Sequence, residues 1–96
     1  NDGVGGMGNL SLNGRKSIGP LPEPKYKGQL EGQIVIEITV NWEGIVTKTH
    51  IQVKGTNIGD ENMRKSAEDA ALKAKFEKKP GSIDQIGTIT YRYKLK

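Results

Sequence analysis

The chain of 96 residues has no cysteine, so disulfides, thiol chemistry and cysteine-bound metal are excluded. Its one histidine, His50, rules out an imidazole cluster around a metal ion. Aromatic residues are scarce at 5%, with one tryptophan and one phenylalanine. Any core must therefore come mostly from aliphatic residues and alanine. No apolar run approaches the ~20 residues that span a bilayer, and no signal-peptide pattern opens the chain. The first residues read as part of a linker, with any anchor or targeting signal expected upstream. A strong excess of one charge is also missing: the net charge is a modest +4. That balance fits a solvated surface better than a strongly electrostatic partner.

What the chain does have is glycine, unevenly placed. Gly3, Gly5, Gly6 and Gly8 mark residues 1–9 as a flexible linker. Residues 10–32 read as an extended strap. Within it Asn13-Gly14 is a turn signal, and Pro20, Pro22 and Pro24 force a polyproline-like path. Tyr26 is expected to pin the strap to the remainder. Residues 33–96 read as the folded domain. One compact core is all that a chain of this size can build.

Four elements are legible in that domain. Over residues 33–41, Ile34, Ile36, Ile38 and Val40 alternate with Val35, Glu37 and Thr39, the period of a strand. Asn41-Trp42-Glu43-Gly44 is a turn. Residues 45–54 return as a second strand, with Thr47, Thr49, Ile51 and Val53 in phase and Val46 out of phase, which predicts a bulge. A helix is predicted over residues 60–75, N-capped by Asp60, with Met63, Ala67, Ala70, Ala71 and Ala74 in one stripe. Leu72 falls opposite that stripe. Phe76 is expected to end the helix and plug the sheet. Residues 87–96 alternate again, with Ile89, Tyr91, Tyr93 and Leu95 on one side and Thr88, Thr90, Arg92, Lys94 and Lys96 on the other. The fold class is α+β: a β-β-α-β unit whose antiparallel three-stranded sheet, in the order second-first-third, carries one helix on one face. An additional N-terminal strand is compatible with this reading.

Nothing in the chain assembles into catalytic chemistry. Asp60-Glu61 and Glu68-Asp69 are adjacent acids at helix positions that serve capping and solubility. Ser66 and Ser82 have no base partner, and Gly3-Val4-Gly5-Gly6 lacks the preceding strand of a phosphate loop. Neither enzymatic activity nor a cofactor is expected. Tyr91, Arg92, Tyr93 and Lys94 superficially resemble a base-stacking strand. The tyrosines alternate with the basic residues, however, so they face the helix, and no nucleic-acid partner is expected.

The last strand is the functional feature. With no later sequence to cover it, its edge is expected to offer unpaired N–H and C=O groups to an extended peptide. The lysines of its outer face have a plain reading as guards against aggregation. A competing expectation is that residues 10–17 fold back onto this edge and occupy it.

The order of these pieces resembles the C-terminal domain of TonB-like energy transducers, most closely the versions found in Bacteroides-type bacteria. The resemblance covers about residues 21–96. Glu31-Gly32-Gln33-Ile34-Val35-Ile36 looks like the family's Glu-Gly-x-Val-x-Val opening, and Glu43-Gly44-Ile45-Val46 like its Asp-Gly-x-Val turn. Met63-Arg64-Lys65-Ser66-Ala67 through Phe76 and Pro80 looks like its helix and the breaker beyond, and Gly87-Thr88-Ile89-Thr90-Tyr91 like its final strand. Glu23-Pro24-Lys25-Tyr26-Lys27 stands where the family has Gln-Pro-x-Tyr-Pro; Pro24 and Tyr26 match, Glu23 and Lys27 depart.

The resemblance implies a periplasmic domain tethered to an inner-membrane helix. Such domains bind the TonB-box peptide of outer-membrane transporters by strand addition and transmit force for siderophore or other nutrient uptake. It implies a peptide edge at Thr88, Thr90, Tyr91, Arg92, Tyr93 and Lys94 and a strap motif at Glu23, Pro24 and Tyr26. It further implies inner-membrane proton-channel proteins as partners of the upstream part, and it allows a dimer. The alternatives are a TonB-like interaction or sensor domain appended to another membrane protein, a cystatin-like inhibitor and, further off, a nucleic-acid module.

Overall fold

A computed structural model of the protein describes residues 8–12 and 14–95. The elements run β1 (Gly8–Ser11), β2 (Gly32–Val40), β3 (Val46–Ile51), α1 (Glu61–Leu72) and β4 (Gln85–Tyr93). They form an α+β fold with a four-stranded antiparallel sheet in the order β1-β4-β2-β3. The three strands expected from the sequence lie in the expected order. The additional strand joins at the β4 end.

The core follows from period two on β2 and β4. Ile34 faces Tyr91 across the pair and Ile36 faces Ile89, and all four side chains are fully buried. On the other flank Ile36 stands opposite Ile51 and Ile38 opposite Thr49. The register then shifts between Thr39 and Val40, so that Val46 pairs with Val40 and is buried. This is the bulge that the out-of-phase valine predicts, and it turns an otherwise outward residue into the core.

α1 lies over β2 and β3. Asp60 caps it, its carboxylate accepting from the Met63 N–H at 2.9 Å. Met63, Ala67, Ala70, Ala71 and Ala74 are buried as a stripe, and Leu72 is exposed on the far side. Small side chains bring the helix backbone close to the sheet, where the isoleucines fill the space. The helix ends earlier than its periodicity suggests, at Leu72, with the Lys73 N–H bonded to the Ala70 carbonyl. Phe76 is buried but lies beyond the helix in extended chain. There Lys75 bridges Ile45 and Phe76 bridges Ser17. Gly44 makes this joint possible. Its φ is +86°, and any Cβ there would collide with the Phe76 carbonyl oxygen.

The strand ends differ from the sequence reading by one to three residues; β4 begins earlier, at Gln85, and two ends fall well short. β3 stops at Ile51, and Val53 stands exposed in the turn closed by Thr56 N–H to its carbonyl. β4 stops at Tyr93, so Leu95 is exposed rather than in line with Ile89. The Leu95 N–H donates instead to Glu31 Oε2 at 3.1 Å.

Candidate functional site: the outer edge of β4

β4 is the second strand of the sheet, and its outer edge carries β1. Gly8 pairs with Tyr91, Asn9 with Thr90, Leu10 with Ile89 and Ser11 with Thr88, all antiparallel. The expectation of an uncovered edge is therefore corrected over residues 88–91. The reason is physical: the buried Leu12 and Arg15 hold the preceding chain beside β4, and pairing there packs Leu10 against the core. Gly8 and Asn9, read as linker, belong to that strand. The remainder of the linker, residues 1–7, lies outside the described residues.

The fold-back segment splits into two parts with different roles. Only residues 8–11 pair with β4. From Leu12 onward the chain joins the core of the molecule. Leu12 is buried, and Arg15 is 6% exposed. One terminal guanidinium nitrogen of Arg15 donates to the Asn41 carbonyl at 2.9 Å, the other to Ser82 Oγ at 3.2 Å. The Ile18 N–H donates to the Lys75 carbonyl and the Glu77 N–H to the Lys16 carbonyl. Arg15, Lys16 and Ile18 thus clamp the β2–β3 turn to the segment after α1. Among the described residues, removing 14–17 would strip out part of the fold, whereas removing 8–11 takes away the cover and the Leu10 contact with the core.

The residues expected at the edge divide by side. Tyr91 and Tyr93 are buried and point into the core, Thr88 and Thr90 are half-buried, and Arg92 is exposed. Arg92 and Tyr93 pair with Gln33 and Gly32 of β2. Among the described residues they have no strand on the outer side. Lys94 is exposed and lies beyond the end of β4.

The strap meets the site from beneath. The Tyr91 hydroxyl donates to the Pro22 carbonyl at 2.8 Å. Burial pushes the pKa of Tyr91 well up, with smaller contributions from Tyr93 and Glu23, and burial raises Tyr93 to about 12. The Tyr93 hydroxyl is buried and has no hydrogen-bond partner among the described residues.

Pro24 is fully buried, so it, and not Tyr26, anchors the strap. Tyr26 is 46% exposed, and only its backbone N–H is held, by Ser66 Oγ at 2.8 Å. Glu23 forms an exposed ion pair with Lys27 at 3.3 Å, a contact of small energetic weight. Glu23, Lys25, Ser66, Asp69, Ala70 and Lys73 line a cavity of about 320 Å³ between strap and helix. The strap motif and β4 are thus joined through Pro22 and Tyr91, while the side chains of Glu23 and Tyr26 lie in solvent.

Several site residues were not legible in the sequence. Gly87, buried in β4, lets the chain pass at close range: a Cβ there would lie 2.5 Å from the Ser11 carbonyl oxygen and 2.8 Å from Leu12 Cδ1. Arg15 gave no sign of burial, because a lone cation near a turn reads as surface. The Leu10-Ser11-Leu12 alternation was the one local hint of β1.

No group of acidic residues and histidine able to hold a metal ion occurs among the described residues. No helix among them is long and apolar enough to cross a membrane. Comparison with protein-family models, with curated proteins and with solved structures returns no match.

Proposed function

We propose that this domain is a peptide-binding module of the TonB-like kind, which takes up the TonB-box peptide of an outer-membrane transporter by strand addition and transmits force to it. The observation that carries this reading is that the outer edge of β4 accepts an added antiparallel strand, β1. Backbone pairing needs no particular side chain on the edge, so the same groups can receive a peptide in trans. A rigid platform stands behind the edge: Ile89 and Tyr91 are locked against Ile36 and Ile34, and Tyr91 is tied to the strap. On this reading the domain is periplasmic and anchored to the inner membrane through upstream sequence, where proton-channel partners would engage.

β1 makes binding conditional. A peptide must displace residues 8–11 or find them already released, and apparent affinity falls with the fraction of open edge. The test is a titration of the domain with transporter box peptides, followed by backbone amide shifts. Shifts at residues 88–94, together with loss of the β1 pairing, are expected. Shifts confined to the β2–β3 hairpin, or none at all, would refute the reading.

A further inference from the structure

β1 indicates what kind of strand the edge takes, an inference that rests on β4 being a ligand edge. It runs antiparallel to β4 with Leu10 opposite Ile89. Leu10 is partly buried and packs against the core cluster, while Ser11, the next residue, is exposed. The edge therefore has one apolar seat, over Ile89, flanked by a position open to water. The seat is bounded on the far side by Gly87, where the backbone of the added strand comes closer than any side chain would permit. Beyond it the buried Leu12 and Arg15 hold the chain, so an incoming strand has only the span of residues 8–11 to replace.

We propose that the ligand of β4 is an extended peptide that runs antiparallel to β4 and places an aliphatic side chain opposite Ile89, in the seat of Leu10. The strand that this edge is seen to take, β1, runs antiparallel and brings Leu10 onto Ile89 with a close backbone approach at Gly87. A polar residue in the seat would be desolvated without a hydrogen-bond partner.

The experiment uses the full 96-residue chain carrying Leu10→Asp, which removes the side chain that seats β1 and leaves residues 12–95 intact. A second version with Leu10→Gly guards against a folding defect specific to the charge. The probe is a synthetic peptide, Val-Gly-Gly-Met-Gly-Asn-Leu-Ser, that reproduces residues 4–11. Expected are amide shifts at 88–91 and binding at least about tenfold weaker when the peptide's leucine is replaced by aspartate. A spin label at the peptide's amino end should broaden residues near Tyr93 and spare those near Gln85. Equal binding by the aspartate peptide, broadening at the Gln85 end, or no binding by the leucine peptide overturns the proposal.

Transporter box peptides run in the same assay separate the two ideas. If the leucine peptide binds as stated and every box peptide fails, the transducer reading falls and the seat stands. If box peptides bind in the parallel sense, or without an aliphatic residue on Ile89, the seat falls and the transducer reading stands.

Discussion

Tyr91 and Tyr93 look equivalent in sequence, two aromatic residues on one side of one strand, yet their hydroxyls have opposite fates. That of Tyr91 donates to the Pro22 carbonyl, and that of Tyr93 is buried without a partner among the described residues. Tyr91→Phe should destabilise the domain by about 1 kcal/mol, the usual net worth of a hydrogen bond. Tyr93→Phe should be neutral or slightly stabilising, since it removes an unsatisfied buried group. Urea denaturation of both variants distinguishes them. Arg15 is the other instructive side chain. It is buried beside a backbone carbonyl and a serine hydroxyl that accept from it. Arg15→Met keeps its volume and should cost under about 1 kcal/mol, whereas Arg15→Ala leaves a cavity and should cost about 2 kcal/mol or more. Equal losses for methionine and alanine would show that the guanidinium's hydrogen bonds, not its packing, hold this segment.

The elements differ in how far they could be read in advance. β2 was plain because four branched side chains alternate without interruption, and the bulge at Val40 and Val46 was plain because one valine breaks phase. α1 was read with the right cap and the right stripe, and Asp60→Ala should lower thermal stability by about 1 kcal/mol. Calorimetry checks this, and an unchanged melting temperature would contradict the capping role. The C-terminal end of α1 was misplaced because Ala74 continues the apolar period after helical bonding has stopped. What ends the helix is tertiary: residues 75–79 are taken up by the β2–β3 turn and by residues 16–18, through bonds such as Phe76 N–H to the Gly44 carbonyl. The same holds for β1. Four residues rich in small side chains carry almost no local strand signal, and their state is set by the vacancy beside β4. The candidate site was therefore half legible. The edge strand could be read from its alternation; its cover and the arginine clamp behind the cover could not.

At the scale of the whole molecule two behaviours follow. The first concerns alkaline pH. Tyr93 titrates near 12 in the folded state, above the ordinary tyrosine value near 10, and Tyr91 is raised as well. Their contribution is complete below about pH 10 and is lost as pH rises through the folded values, by about 1.4 kcal/mol per pH unit for each group in that window. Stability should thus be flat from neutral pH to pH 10 and fall steeply above it, and Tyr93→Phe should make the fall shallower. A flat profile to pH 12 in both proteins would contradict the burial of these hydroxyls. The second behaviour concerns the cover. Truncation after Ser11 should leave the fold intact and strengthen binding of a box peptide by about tenfold or more, because the edge no longer has to be vacated. Truncation after Ser17 should instead lower stability, because Leu12 and Arg15 go with it.

The antiparallel sense of β1 and β4 has a mechanical consequence. Gly8 lies opposite Tyr91, so the leading end of β1 and the trailing end of β4 sit side by side. Tension applied between those two ends loads the interstrand bonds one after another, as in opening a zipper, and does not shear them together. The tear then stops at Leu12 and Arg15, where the chain is pinned across the molecule. On the proposed reading, a pull from the amino-terminal side would bare the seat on Ile89 before the platform yields, so that tension on the domain would also ready it for a peptide.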